Sequence, residues 1–267
     1  MQMKQEDIGR LKYAKELLEN PGLAAKLTNV VGMPFEKAFN YLPARWTETI
    51  QSITQKSLKH ALDAAIKTID HNHQKSSKDT LHKFLVAASG GIGGAFGLPA
   101  LAVELPVTTV IMFRSIADIA RSEGANVQSI DTRLACLEVF ALGGSSDKDN
   151  AAESGYYAVK ALLAKQVSEA AKYIVEKGIA EEGVPVLIRL IATIASRFGV
   201  TVSQKAAASA VPVIGAAGGA LINSIFMDHF QNMARGHFVI RRLESLYGCD
   251  EVQNMYADIH IGRERTS

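Results

Sequence analysis

Apolar positions in this chain recur mostly at spacings of three to five residues, the mark of helices that turn one face toward a core. From Ala44 onward, Trp46, Ile50, Ile53, Leu58, Leu62, Ala65, Ile66 and Ile69 lay such a stripe along one long helix with a charged back. A short amphipathic helix is predicted over 6–19, closed by the turn cluster Asn20-Pro21-Gly22. Residues 21–43, interrupted by Gly32, Pro34 and Pro43, read as a broken connection with one short helix. Beyond the middle of the chain, helices are predicted over 132–142 with Asp131 as N-cap and Gly143-Gly144 as stop, over about 149–182, over 185–198, and over 228–246. The pattern predicts an all-α, single-domain, multi-helix bundle of about 8–10 helices.

Two stretches depart from the amphipathic pattern. Phe84 to Phe113 carries one charge, Glu104, and Ala206 to Met227 carries none. The first holds Gly90, Gly91, Gly93, Gly94, Gly97, Pro99 and Pro106; the second holds Pro212, Gly215, Gly218, Gly219 and Asn223. Proline costs about 3 kcal/mol in a helix interior and glycine about 1. The first stretch is therefore predicted as two helices meeting near Gly97–Pro99, with Pro99 in the first turn of the second and Pro106 kinking or restarting it. Glycines four apart (Gly90/Gly94, Gly93/Gly97, Gly215/Gly219) would let another backbone approach closely. The uncharged cores, 84–103 and 206–227, reach the length that spans a bilayer. Two readings stand: segments that insert into or lie on a membrane, or central helices of a soluble bundle, apolar all round because they are buried all round. The prolines, the glycines and the missing Lys/Arg and Trp/Tyr flanks weigh against full spanning.

Composition narrows the function classes. The chain has 267 residues, 48% of them hydrophobic, and a net charge of only +2; its mean hydropathy is +0.07. With no basic block and 7% aromatics, it lacks the cationic footprint of a nucleic-acid binder. Cys136 and Cys249 form no CxxC and read as reduced thiols of a cytoplasmic protein. The polar N-terminus shows no signal core, so secretion is not expected. P-loop, H-E-x-x-H, G-x-S-x-G and zinc-type cysteine pairs are absent, and no cofactor is expected. Ser145-Ser146-Asp147-Lys148 reads as a helix cap, and His71 and His73 as solvated.

Candidate site residues follow from charge placed where charge is expensive. Glu104 must be paired, protonated or solvated, with an arginine such as Arg114 or Arg235 as the expected partner. Arg114, Asp118 and Arg121 share one helix face; Asp228, Arg235 and Arg242 share another, and the two faces could cross as a charge lattice or form an anion site. His229 and His237 are eight apart, within about 80° on an ideal helix, and are weak metal candidates together with Asp228 or Glu104. Glu104, Arg114, Asp118, Asp228, Arg235 and His237 form the expected ligand-binding set; no catalytic residue is assigned.

Several blocks together resemble the bacterial EcsC family. They are Ser89-Gly90-Gly91 through Gly97-Leu98-Pro99, Glu104-Leu105-Pro106, Arg114 through Ala120, and Cys136-Leu137 with Ala141-Leu142-Gly143-Gly144. The later ones are Pro212 through Ala216, Asn223, Ala234 through Phe238, and Arg241-Arg242-Leu243-Glu244. The resemblance covers about 45–250 and divides the chain into an N-terminal helical extension (1–43), the family domain (44–250) and a peripheral C-terminal tail (251–267). It implies an α-helical protein without an established catalytic set, whose namesake is similar to an accessory protein of an ABC transporter and many of whose members are hydrophobic and membrane-associated. Where the family pattern has Asp before Leu-Pro, this chain has Glu104. The leading expectation is a non-enzymatic, membrane-associated accessory protein at the cytoplasmic membrane, with membrane lipids or a transporter component as partner. A hydrolase with acidic and His residues around a central cavity, and a soluble interaction scaffold that forms a homo-oligomer through a glycine face, stand beside it.

Overall fold

The computed structural model describes residues 3–19, 23–33, 35–42, 45–67, 97–143, 155–177, 184–211 and 215–260. Its helices are α1 (Gln5–Glu19), α2 (Leu23–Val31), α3 (Phe35–Ala38), a 3-10 turn (Phe39–Tyr41), α4 (Trp46–Lys67), α5 (Gly97–Ser122), α6 (Ile130–Leu142), α7 (Gly155–Lys177), α8 (Pro185–Ala210), α9 (Gly215–Tyr247) and α10 (Cys249–Asp258). Among the described residues there is no strand, so the all-α expectation holds. The predicted pieces 68–96, 144–154 and 212–214, with the glycine pair Gly90/Gly94 and the Ser145 cap, lie outside the described residues.

Local chemistry explains most of the helix ends. α5 opens at Gly97 with Pro99 in its first turn, as predicted, but Pro106 neither ends nor restarts it. The Thr109 hydroxyl donates to the Leu105 carbonyl at 2.7 Å in that turn. At α6 the N-cap is Ser129, not Asp131: the serine oxygen accepts from Thr132 N at 3.2 Å. α8 starts on Pro185, and it continues twelve residues past the predicted end, to Ala210. Gly199 does not stop it; a Cβ there would stand 3.8 Å from the Ile50 methyl of α4. Val211, extended with ψ 120, ends α8; the residue before a proline is pushed out of the helical region, and Pro212 follows. The uncharged stretch 206–227 is therefore split between the end of α8 and the start of α9 rather than forming one helix.

The centre of the bundle is α6. Every residue from Thr132 to Ala141 is buried, and the helix packs against α4, α5, α7, α8 and α9. A helix enclosed on all sides is apolar all round, which is what the sequence pattern led one to expect of the glycine-rich segments. The second of them, 206–227, is instead two-faced where described. Ala206, Ala207, Ala208, Ile222 and Phe226 are buried, whereas Ser209, Ala220, Leu221 and Ser224 are exposed. Phe140, Phe198, Phe226 and Phe230 tie α6, α8 and α9 together, with ring centroids 5.0 to 6.2 Å apart; such pairs add about 1 kcal/mol each beyond their buried area.

The described parts of the expected extension and tail meet in a second cluster of Leu11, Ala14, Tyr156, Ile240, Leu243, Val252 and Tyr256. Lys15 of α1 donates to the carbonyls of Tyr256 (2.7 Å) and Ile259 (2.8 Å), closing the C-terminus of α10. α1 lies along α9, and Gly236 lets it come close: a Cβ there would stand 2.6 Å from Leu18 Cγ and 3.0 Å from the Ala14 carbonyl.

Candidate functional site

Glu104 is paired, but with a lysine. Lys205 Nζ of α8 donates to Glu104 Oε1 at 2.7 Å and lies 5.0 Å from the centre of the Phe226 ring of α9. The Lys205 side chain is 3% exposed and that of Glu104 22%, so the ammonium has given up its water for a carboxylate and a π face. Gln231 Nε2 of α9 donates to Ser115 Oγ of α5 at 2.9 Å. With the Glu104–Lys205–Phe226 contact, this sets α5 and α9 parallel. α9 runs back along α8, since Phe226 lies against Lys205 while Phe198, further back on α8, meets Phe226 and Phe230. The starts of α5 and α9 and the end of α8 thus share one end of the bundle. Beyond the Glu104–Lys205 pair, residues 97–103, 206–211 and 215–227 contain no charge. The α3 turn packs on the same end, where Ala38 meets Ala207 and Val211. Phe39 (40%), Tyr41 (49%) and Leu221 (48%) are exposed around it.

The two histidines serve separate places. His229 Nε2 donates to the Gly143 carbonyl at 2.8 Å, the Thr201 hydroxyl donates to the same oxygen at 3.2 Å, and Arg197 Nε donates to the Ala141 carbonyl at 3.0 Å. Together they close the C-terminus of α6. Burial holds His229 down at about 4, partly offset by its Gly143 hydrogen bond. His237 lies two turns further along α9. Its Nδ1 is 3.1 Å from the Tyr156 hydroxyl, and its Nε2 is 3.6 Å from Glu138 Oε2. Burial drives His237 well below its ordinary value, with Arg241 and Lys160 adding to the effect. The same burial pushes the Glu138 carboxyl up to about 7, against the pull of Arg241 and Lys160. Next to this group, Lys160 pairs with Glu244, whose Oε1 also accepts from the Tyr157 hydroxyl at 3.4 Å. The histidines thus do not face a common centre, and among the described residues no three His, Cys, Asp or Glu side chains gather as a metal site would need.

The EcsC protein family matches residues 5–243 of the chain. The chain belongs to the EcsC family. No curated protein matches it, and no solved structure does. In this EcsC-family chain the matched region runs from α1 almost to the end of α9, so it takes in the Glu104–Lys205 pair, the α6 cap and the Glu138–His237 group.

The other expected site residues are not brought together. Asp118 pairs with Arg121 on the exposed side of α5, and Arg114 is exposed beside them. Asp228 is exposed. Arg235 Nη1 donates to Asn232 Oδ1 at 3.0 Å within its own helix, while Arg242 faces Asp7 of α1 at 3.9 Å. No charge lattice joins the two faces among these residues. Where α5 meets α9 the facing positions include Ser115 and Gln231, while Arg114, Asp118 and Asp228 are exposed to water. Sequence reasoning missed Lys205, Glu138, Tyr156 and Lys160. The signal for Glu138 was present: it is the only charge in the apolar run Leu134 to Leu142, the same circumstance that singled out Glu104.

Proposed function

We propose that this EcsC-family protein is a non-enzymatic accessory protein that associates with the cytoplasmic membrane through the charge-free end of its bundle, binding lipid or an apolar ligand there or modulating a membrane transporter. The observation that carries the reading is the gathering of three uncharged helix ends beyond a single neutralised ion pair, Glu104–Lys205. The ends of α5, α8 and α9 carry no unpaired charge and can leave water at low electrostatic cost, with Lys37 and Arg45 exposed on the turn beside them. α8 is long and apolar enough to cross a membrane by length and composition alone, a test that the core helix of a bundle also passes. Flotation of the purified, detergent-free protein with vesicles tests the proposal. Co-migration with lipid is expected; a protein that stays with the aqueous fraction for both neutral and anionic vesicles refutes it.

A hydrolase draws on one observation, the buried Glu138–His237–Tyr156 group, where a carboxyl near neutrality faces an imidazole. Stoichiometric metal in the protein as purified, or a turnover lost in Glu138→Gln, would favour that reading over the membrane one. All three side chains are at most 6% exposed, so a substrate would reach them only if α7 moved.

A further inference from the structure

The turn after α3 carries a second pattern at the same end. Lys37, Phe39, Asn40, Tyr41 and Arg45 are all exposed, while Ala38 among them is fully buried against Ala207 and Val211. Two cations, Lys37 and Arg45, flank the exposed rings, with the acids Glu36 and Glu48 next along the chain on either side. A shallow, open cleft lies among Gly32, Met33, Lys37, Asn40 and Tyr41. Its lining pairs an ammonium, an amide and a phenol with apolar walls.

Exposed aromatics beside cations, set at the rim of an uncharged helical end, match the chemistry of a membrane–water interface. There the rings sit at headgroup level and Lys or Arg meets lipid phosphate. We infer that Lys37, Phe39, Tyr41 and Arg45 are the interfacial anchor of this protein on an anionic phospholipid bilayer. Phe39 and Tyr41 enter the boundary between headgroups and acyl chains, Lys37 and Arg45 hold phosphates, and the cleft receives a headgroup. The inference rests on the membrane reading above and adds the point of contact and the lipid class. Because Ala38 fixes the turn to the end of α8, seating the turn also brings the starts of α5 and α9 to the lipid surface.

Two double variants on exposed side chains test it: Phe39→Ser with Tyr41→Ser, and Lys37→Gln with Arg45→Gln. A control removes two exposed apolar side chains elsewhere, Leu162→Ser with Val175→Ser on α7. Far-UV circular dichroism and thermal melts establish that each is folded. Binding is read by flotation with phosphatidylcholine vesicles, with and without phosphatidylglycerol. The aromatic pair is expected to weaken partition about tenfold on both vesicles. The cationic pair is expected to weaken it about tenfold or more on the anionic vesicles alone, and added salt should mimic that loss. The control should bind like the natural protein. If the natural protein floats and both doubles float equally well, the anchor is overturned while the membrane reading stands. If the natural protein does not float, both fall. A loss in the control as large as in the doubles overturns the anchor. So does a natural protein that is dimeric in solution and becomes monomeric in the Phe39/Tyr41 variant, since the turn would then bind a second copy.

Discussion

Replacing Glu138 with glutamine should make this protein more stable at alkaline pH and leave it nearly unchanged at acid pH. The folded carboxyl is pushed up to about 7 from an ordinary 4.5, first by burial, and Arg241 and Lys160 only partly reverse that. Between those two values the folded chain keeps a proton that the unfolded chain has released. The stabilisation tied to this proton is therefore complete below the unfolded value, falls as pH rises, and is gone once pH passes the folded value. The difference between about 7 and 4.5 corresponds to about 3 kcal/mol. Glutamine has the same shape, stays neutral and can still offer an N–H toward His237 Nε2, which lies 3.6 Å from Glu138 Oε2. Variant minus natural stability should thus rise by about 3 kcal/mol between about pH 5 and pH 8.

Taking the difference removes the other buried groups. His229 and His237 are both held below their ordinary values, so each favours unfolding as the pH falls; the His229 contribution is common to both proteins, whereas that of His237, which faces Glu138, enters only below the pH range compared. Urea unfolding at a series of pH values, extrapolated linearly, measures the difference directly. In thermal melts the alkaline gain should be about 6–12 °C for a chain of this size. A difference that stays flat across the pH range would show that Glu138 does not titrate near neutrality. A difference of opposite sign, with the natural protein gaining on the variant as pH rises, would show a carboxylate held ionised by Arg241 and Lys160. Either result refutes the reasoning.

Other substitutions probe the remaining contacts. Glu104→Gln should cost about 3 kcal/mol in urea unfolding because it strands the buried Lys205 ammonium, whereas Lys205→Met leaves a carboxylate with 22% exposure and should cost less. The double variant should lie close to Lys205→Met, and additivity in the cycle would speak against a direct pair. Gly236→Ala should lose about 1–3 kcal/mol through the Leu18 and Ala14 clash, while Gly9→Ala on α1, where nothing lies within 4 Å, should gain up to about 1 kcal/mol. His229 contributes stability that is complete above its ordinary 6.5 and lost as pH falls toward about 4. His229→Gln should therefore flatten the acid limb of the stability profile by about 3 kcal/mol, read by the same urea series.

Helix existence was legible because a 3.6-residue period is a local property of the chain; partner choice was not, because it is not local. Glu104 stood out as a lone charge in an apolar run, and the need to neutralise it followed from electrostatics alone. Its partner lies 101 residues further on, and no spacing within either segment says which helix faces which. The expectation of arginine failed for that reason, and Lys205 was overlooked although it borders the uncharged stretch directly. Helix ends failed where a local signal did not hold: Gly199 reads as a stop, yet α8 runs through it to Ala210. Centrality was misassigned by the same route. Apolarity was legible in 206–227, but among the described residues the fully enclosed helix is the shorter α6, whose buried Arg133 and Glu138 made its sequence look less central than it is.

The position of the Glu104–Lys205 pair bears on how deep a membrane seat could be. Glu104 stands seven residues after the start of α5, and Lys205 five residues before the end of α8. At 1.5 Å per residue, about 10 Å of charge-free helix lies beyond the pair on α5 and about 8 Å on α8. A bilayer core is about 30 Å thick, whereas interfacial elements enter about 5–10 Å. On the membrane reading, the charge-free end therefore fits the boundary region and stops where the ion pair begins. Glu104 keeps the exposure a carboxylate would need at that level, and the Lys37–Arg45 turn meets the headgroups beside it.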